Sequence, residues 1–405
     1  MAAIRPFRAL RPARDTAAAV SSVPYDVVNT EEARQLASDN PLSFLHVTRS
    51  EIDLPAGTDP YSAQVYEKAH ENFASLRAKA PLVVEDEPSL YFYRLRMGGH
   101  EQTGIAACFS VDEYEHDVIK KHERTRPDKE DDRTRHIIGL RAQTGVVFLT
   151  YKASESVDRL CRAVTADAPL YDFRADDGVH HTLWKVGARE TSELVDAFGR
   201  IPALYIADGH HRAASAARAR AEMRTRGDSV DADTFIAVAF PDNQMNILAY
   251  NRVVKDLSGQ TPRQFLAALK ARVPVKEGAA TPKGKGEVAM YLDGKWYALD
   301  LSGAAPADSS RASSLDVALL QQHVLEPLLK IGDVRTDTRI DFVGGARGTA
   351  ALEKAVTGGR AAVAFSMHPV TIDDLMAIAD EGGIMAPKST WFEPKLRDGL
   401  LVHVI

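Results

Sequence analysis

The sequence is poor in the residues and patterns that mark several common protein classes. Only two of its 405 residues are cysteine, Cys108 and Cys161, and neither stands in a Cys-x-x-Cys pair. Both are therefore expected to be reduced core residues of a cytosolic protein. No run of about 18 apolar residues occurs, and residues 1–7 carry no apolar signal core, so the expected location is cytoplasmic with no membrane partner. There is no Gly-x-x-x-x-Gly-Lys-Ser/Thr loop, no complete Gly-x-Gly-x-x-Gly fingerprint and no Gly-x-Ser-x-Gly elbow. Those absences exclude a P-loop ATPase, a standard dinucleotide fold and an α/β-hydrolase nucleophile.

An excess of positive charge is lacking too. The formal net charge is −6, which argues against general nucleic-acid binding while leaving a local basic groove open. At 45% hydrophobic and 26% charged residues the composition is that of an ordinary globular protein, and the length suffices for two or three domains.

The chain opens with short β-compatible runs broken by proline. Thr30-Glu31-Glu32 then starts a helix that Asn40-Pro41 closes. Tyr25 and Asp26, in a proline turn, are either a ligand-facing pair or a self-bonded turn. Phe44 to Val47 is expected to be a short strand, with His46 a structural histidine. Residues 60–78 have Tyr66, Ala69, Phe73 and Leu76 at helical spacing. Two apolar stretches flanking Gly98-Gly99 predict a hairpin, and residues 169–173 with 181–186 predict a second. Val146 to Thr150 is a further buried strand, and Phe235 to Phe240 is expected to pair beside residues 203–206. Beyond residue 256, helices are expected at 262–272 and 314–329, and strands near 288–292, 361–365 and 400–405.

Two polar stretches carry chemistry. In residues 203–220 an apolar run, Ala203 to Ile206, is followed by Asp208-Gly-His-His-Arg212 and then an alanine-rich helix. At such a strand-to-helix turn the first helical N–H groups lack intrahelical partners and the dipole favours negative charge, which suits an anion. Gly209 lets the backbone approach, and Arg212 supplies a bidentate donor. The plainer alternative has Asp208 capping the helix while His210, His211 and Arg212 face water.

The second stretch is His122-Glu-Arg-Thr-Arg126. It opens like a helical zinc-protease motif but has Arg126 where the second histidine is needed. Glu123 remains a candidate base, with Lys121, Arg124 and Arg126 able to hold an anionic donor beside it; a surface ion-pair cluster is the alternative. The following Lys129-Glu-Asp-Asp-Arg133 is expected to be mostly a solvated face. Near the end, Lys388, Ser389 and Thr390 are phosphate-type donors in a turn, or part of a packed C-terminal hairpin. Arg252, near a strand end, either reaches a phosphate or caps the strand.

The Asp208 to Arg212 motif with its alanine helix resembles the Asp-Gly-His-His-Arg motif of the SerK-type free-serine kinases, members of the ParB/sulfiredoxin-like nucleotide-binding superfamily. The whole chain also resembles the domain-of-unknown-function family ten-fifteen, through Ser22-Val-Pro-Tyr-Asp-Val-Val28, Asn40-Pro-Leu-Ser-Phe-Leu-His46, Lys121-His-Glu-Arg-Thr-Arg-Pro-Asp-Lys129 and Met385-Ala-Pro-Lys-Ser-Thr-Trp-Phe-Glu-Pro-Lys395. The resemblance implies an α+β fold with a ParB/sulfiredoxin-like core over residues 112–256 and additional α/β segments at 1–111 and 257–405. It implies a kinase that passes a phosphoryl group from ATP or ADP to free L-serine or a similar small metabolite.

In that reading Glu123, Asp208 and His210 are catalytic. His122, Arg124, Thr125, Arg126, Gly209, His211, Arg212, Lys388, Ser389 and Thr390 bind nucleotide or substrate, and Asp208 meets Mg²⁺. The expected partners are a nucleotide and a small molecule, and a homodimer is compatible with them. Two alternatives stay open. One is a metal-dependent phosphatase or hydrolase on Asp208, His210 and His211, although no further metal motif accompanies them. The other is a non-catalytic ParB-like nucleotide-binding regulator, against which the acidic charge and the missing helix-turn-helix weigh.

Overall fold

The Gly98-Gly99 turn joins Tyr91–Met97 to His100–Ser110, with Met97 opposite His100. This hairpin lies inside a larger antiparallel and parallel sheet of a computed structural model that describes residues 2–405 except 81, 229 and 306–308. The molecule is mixed α+β with several sheets. The chain divides into two compact units, described separately here. The first comprises Met1–Lys121, Thr125–Met245 and Pro394–Ile405; the second comprises His122–Arg124 and Asn246–Glu393.

Among the described residues of the first unit, nine strands form the main sheet. Its order is Ile119–Lys120, Leu204–Asp208, Val147–Tyr151, Thr234–Pro241, His100–Ser110, Tyr91–Met97, His180–Lys185 and Tyr171–Arg174, with Ile4–Arg5 also pairing on His100–Ser110. The sheet therefore joins strands from both of the first two expected segments. Thr234–Pro241 is buried along its whole length, as a central strand covered on both faces must be, and it is correspondingly a near-continuous apolar run. Phe235–Phe240 does not pair with Leu204–Asp208, because Val147–Tyr151 lies between them, antiparallel to one and parallel to the other.

Helix Pro127–Leu140 packs on His210–Thr225, and Glu155–Val164 packs on Ala188–Phe198. Ala213, Ala214, Ala216, Ala217 and Ala219 of His210–Thr225 are buried, which allows a close helix approach. The charged stretch expected to be solvated is only partly so. Asp132, His136 and Ile137 are buried on the inner side of Pro127–Leu140. The Arg133 guanidinium lies over the Tyr25 ring at 4.2 Å and bonds Asp132, whose other oxygen accepts from Tyr66.

The expected strand at Phe44 to Val47 is the one-turn helix Leu45–Thr48. Asn29, not Thr30, caps Thr30–Ala37, in a reciprocal box with Glu32. At the C-terminus Val402–Val404 joins a four-stranded sheet between Ala9–Arg11 and Ala142–Gln143.

In the second unit six strands run in the order Val275–Glu277, Lys295–Asp300, Glu287–Leu292, Val363–Ser366, Tyr250–Val254 and Ile340–Gly344. Residues 314–329 form not one regular helix but Asp316–Leu320, a π turn over Gln321–Leu325 and Glu326–Leu329. No helix among the described residues is long and apolar enough to cross a membrane.

Candidate functional site

Leu204–Asp208 ends at Gly209, which adopts φ +94° and stands at the N-cap of the 16-residue helix His210–Thr225. Ordinary side chains avoid this left-handed backbone. A Cβ here would also come within 3.1 Å of the Arg212 guanidinium, which folds back over the turn. Glycine is thus required twice. The N-cap position is Gly209 itself, which has no side chain to cap the helix.

The Asp208 carboxylate joins two cations. Its Oδ2 accepts from Arg212 at 3.3 Å and from Lys395 at 3.2 Å. Arg212 is 6% exposed, and it donates to the Val146 carbonyl and, at 3.2 Å, to Asp26. Gly145 makes room for its stem, since a Cβ there would meet Arg212 Cδ at 3.1 Å. Burial opposes the Arg212 charge, but Asp26 and Asp208 outweigh it and raise its pKa. The arginine expected to hold a ligand is therefore held by the protein itself.

A third carboxylate completes the cluster. Asp398 is 1% exposed and pairs through its backbone with Ser22, and its Oδ2 has no hydrogen-bond partner among the described residues. Burial pushes its pKa up to about 7; Asp26 adds to the rise and Arg212 counters it. Below the cluster a cavity of about 20 Å³ is bordered by Arg212, Arg133, Tyr25, His136 and Gln143. It is about the size of one water. Burial, then Arg133, pulls the His136 pKa down to about 4.

His211 ties a second predicted stretch to the turn: its Nε2 accepts the Arg126 backbone N–H at 3.0 Å. That bond places the lone pair on Nε2 and leaves the proton on Nδ1 when the ring is neutral. Thr125 donates to Glu130, which also meets Arg218 at 3.4 Å. Arg126 itself is exposed and paired with Asp128. His210 is buried in the first turn of the helix. Of the residues expected to bind or react, Thr125, Arg126 and Asp208 to Arg212 thus belong to the first unit.

His122, Glu123, Arg124, Lys388, Ser389 and Thr390 belong to the second unit. There the His122 carbonyl accepts the Met385 N–H at 2.8 Å, and His122 Nε2 lies 3.5 Å from Thr390 Oγ1. Ser389 donates to Ala386, and Lys388 takes a left-handed backbone at φ +58°. Glu123 is half-buried and Arg124 is exposed.

The family model described as Protein of unknown function (DUF1015) matches residues 4–318. The chain belongs to the DUF1015 family. No curated protein matches it. Among solved structures, SbnI with C-terminal truncation from Staphylococcus aureus is similar at 13% identity and TM-score 0.41, over 74% of this DUF1015 chain and 87% of that one. A conserved hypothetical protein from Pyrococcus furiosus is similar at 14% identity and TM-score 0.38, over 74% and 95%. A free serine kinase in complex with AMP is similar at 12% identity and TM-score 0.38, over 73% and 91%. Overlaps this loose transfer neither a residue nor an activity.

Sequence reasoning missed Asp398 and left Asp26 undecided. Both lie within the quoted family stretches or just beside them, but neither sits in a motif that names a chemistry.

Proposed function

We propose that this DUF1015 member is a small-molecule kinase with a ParB/sulfiredoxin-like core, transferring a phosphoryl group from ATP or ADP to the hydroxyl of free L-serine or a similar metabolite. The observation that carries this reading is the Asp208–Arg212 turn. A left-handed glycine links a buried strand to a 16-residue helix whose positive end faces the turn, the arrangement expected for holding phosphate by backbone N–H groups and helix dipole. The resemblance of these five residues to the free-serine kinase motif supplies the reaction class.

Within this reading the buried Arg212 is a positioning residue. It fixes Asp208 and the glycine backbone and leaves the helix N-terminus to meet the anion. His210 stands at the head of the helix, suited to the transferring group, and His211 holds the Thr125–Arg126 backbone against the turn. Glu123 accepts the proton from the substrate hydroxyl. Phosphoryl transfer asks mainly for positioning and charge neutralisation, and these residue types provide both.

Mg²⁺ takes oxygen ligands, typically one or two carboxylates together with substrate phosphates. Asp208 fits as that carboxylate, with Arg212 and Lys395 steadying its Oδ2. When bound with the nucleotide the ion would offset phosphate charge.

The test is O-phosphoserine formation from L-serine with ATP or ADP and Mg²⁺. Glu123→Gln should lower turnover by about 10²- to 10⁴-fold with nucleotide affinity nearly unchanged. Absence of phosphoserine with every donor refutes the serine-kinase reading. A fully active Glu123→Gln protein removes Glu123 as the base.

A further inference from the structure

Arg252 lies in the middle of Tyr250–Val254, a strand bonded on both sides, and is 3% exposed. A buried cation normally has a carboxylate partner, because desolvating a bare charge is expensive. Among the described residues Arg252 has none. Its guanidinium donates to the backbone carbonyls of Tyr250 and Lys388, the latter at 3.1 Å, and lies over the Phe342 ring at 5.6 Å. Burial pulls its pKa down to about 10. Two carbonyls leave much of the guanidinium fork's donor capacity unused.

Arg252 borders a cavity of about 390 Å³ contained within the second unit. That volume is in the range of small-ligand sites. Arg124 lines the same cavity, exposed and without an acidic partner among the described residues. Arg335 also lines it but is neutralised by Asp333 at 2.7 Å. The cavity therefore carries two uncompensated positive charges. Much of the remaining wall is apolar, with Val317, Leu325, Val334 and Met385.

Gln321 adds a polar point at the start of the π turn, an irregularity that often accompanies a functional site. Its Nε2 is held by the carbonyls of Ile331 and Gly332, at 2.7 and 2.9 Å. Its Oε1 has no hydrogen-bond partner among the described residues.

We propose that this cavity binds a small organic anion, a phosphate ester or carboxylate on an apolar body, with the charged group gripped by Arg252 and Arg124. The apolar body packs against Val317, Leu325 and Val334. The site shares Arg124 with the binding set of the kinase reading, but its buried charge comes from Arg252, which that reading does not use.

The test is isothermal titration calorimetry of the full chain with phenyl phosphate, benzoate and, as a neutral counterpart, benzyl alcohol. At least one anion should bind while benzyl alcohol does not, and the preferred anion separates a phosphate ligand from a carboxylate one. Arg252→Met and Arg124→Ala should each weaken that binding at least tenfold. Arg124 is exposed, so its replacement keeps the test valid even if Arg252→Met fails to fold. Binding of neither anion, equal binding of benzyl alcohol, or unchanged affinity in Arg124→Ala overturns the proposal.

Discussion

Replacing Arg212 by methionine tests what the Asp208–Arg212 turn rests on. The substitution keeps an apolar stem but removes the guanidinium from among Val146, Asp26 and Asp208, and its charge from near Asp398. Removing one partner of a buried ion pair typically costs about 3 to 5 kcal/mol, mostly because the opposing charge is left uncompensated. Here Asp26 and Asp208 side chains are 36% and 28% exposed, so water hydrates part of what is left, and Lys395 still meets Asp208. The lower end, about 3 kcal/mol, is therefore expected. A unit of this size loses roughly 2 to 4 °C of melting temperature per kcal/mol, which gives a fall of roughly 6 to 12 °C. Thermal melts followed by near-UV circular dichroism measure it directly. Adding Asp26→Asn to the methionine variant should recover part of the loss, since it removes one of the carboxylates left without a counter-charge. A variant melting within a degree or two of wild type would refute the reasoning, and would mean that the guanidinium serves a ligand and not the fold.

Asp398 should make stability pH-dependent in an unusual direction for a carboxylate. Its folded pKa, about 7, lies above the unfolded value near 3.8, so the folded chain keeps a proton that the unfolded chain releases, and stability falls as pH rises through that window. The stability of Asp398→Asn relative to wild type should therefore improve by about 2 to 3 kcal/mol between pH 5 and pH 8 in urea titrations; a pH-independent difference would contradict the assignment. Gly209→Ala meets both a positive φ and the Arg212 guanidinium, so a loss of about 1 to 3 kcal/mol of unfolding free energy, read as a lower denaturant midpoint, is expected, and an unchanged midpoint would show that the turn relaxes freely. Deleting residues 394–405 removes Lys395, Asp398 and the Val402–Val404 strand, leaving Ala9–Arg11 and Ala142–Gln143 without their shared partner; the truncated chain should not be recovered as a cooperatively melting protein.

Local signals carried through where the chain's own neighbours decide the structure. The Gly98-Gly99 hairpin forms because a two-glycine turn between alternating runs specifies both partners at once. The strand, glycine and alanine helix of residues 204–225 are equally local. Phe44 to Val47 failed as a strand because a four-residue run, three of it apolar, has no resolvable period, and tertiary packing selects the conformation of so short a run. The sheet order failed for another reason: nothing in two apolar runs says that Val147–Tyr151 will lie between them.

The charged residues expose a deeper asymmetry. An apolar side chain needs only to leave water, and any core will serve, so a hydrophobic pattern announces burial by itself. A buried charge is tolerable only beside a particular opposite charge, and that partner can lie anywhere in the sequence. Arg212 meets Asp26 across 186 residues, and Lys395 meets Asp208 across 187. Read locally, Arg212 is a donor awaiting a ligand, Asp132 and Arg133 are parts of a solvated helix face, and Asp398 is unremarked. Only the folded chain shows Arg212 turned inward onto Asp26 and Asp208, Asp132 and Arg133 turned inward as a pair beside Tyr25, and Asp398 buried with its pKa raised. Arg252 is the converse case: a strand arginine whose compensating charge the described chain does not supply, and therefore the position where an external anion has most to offer.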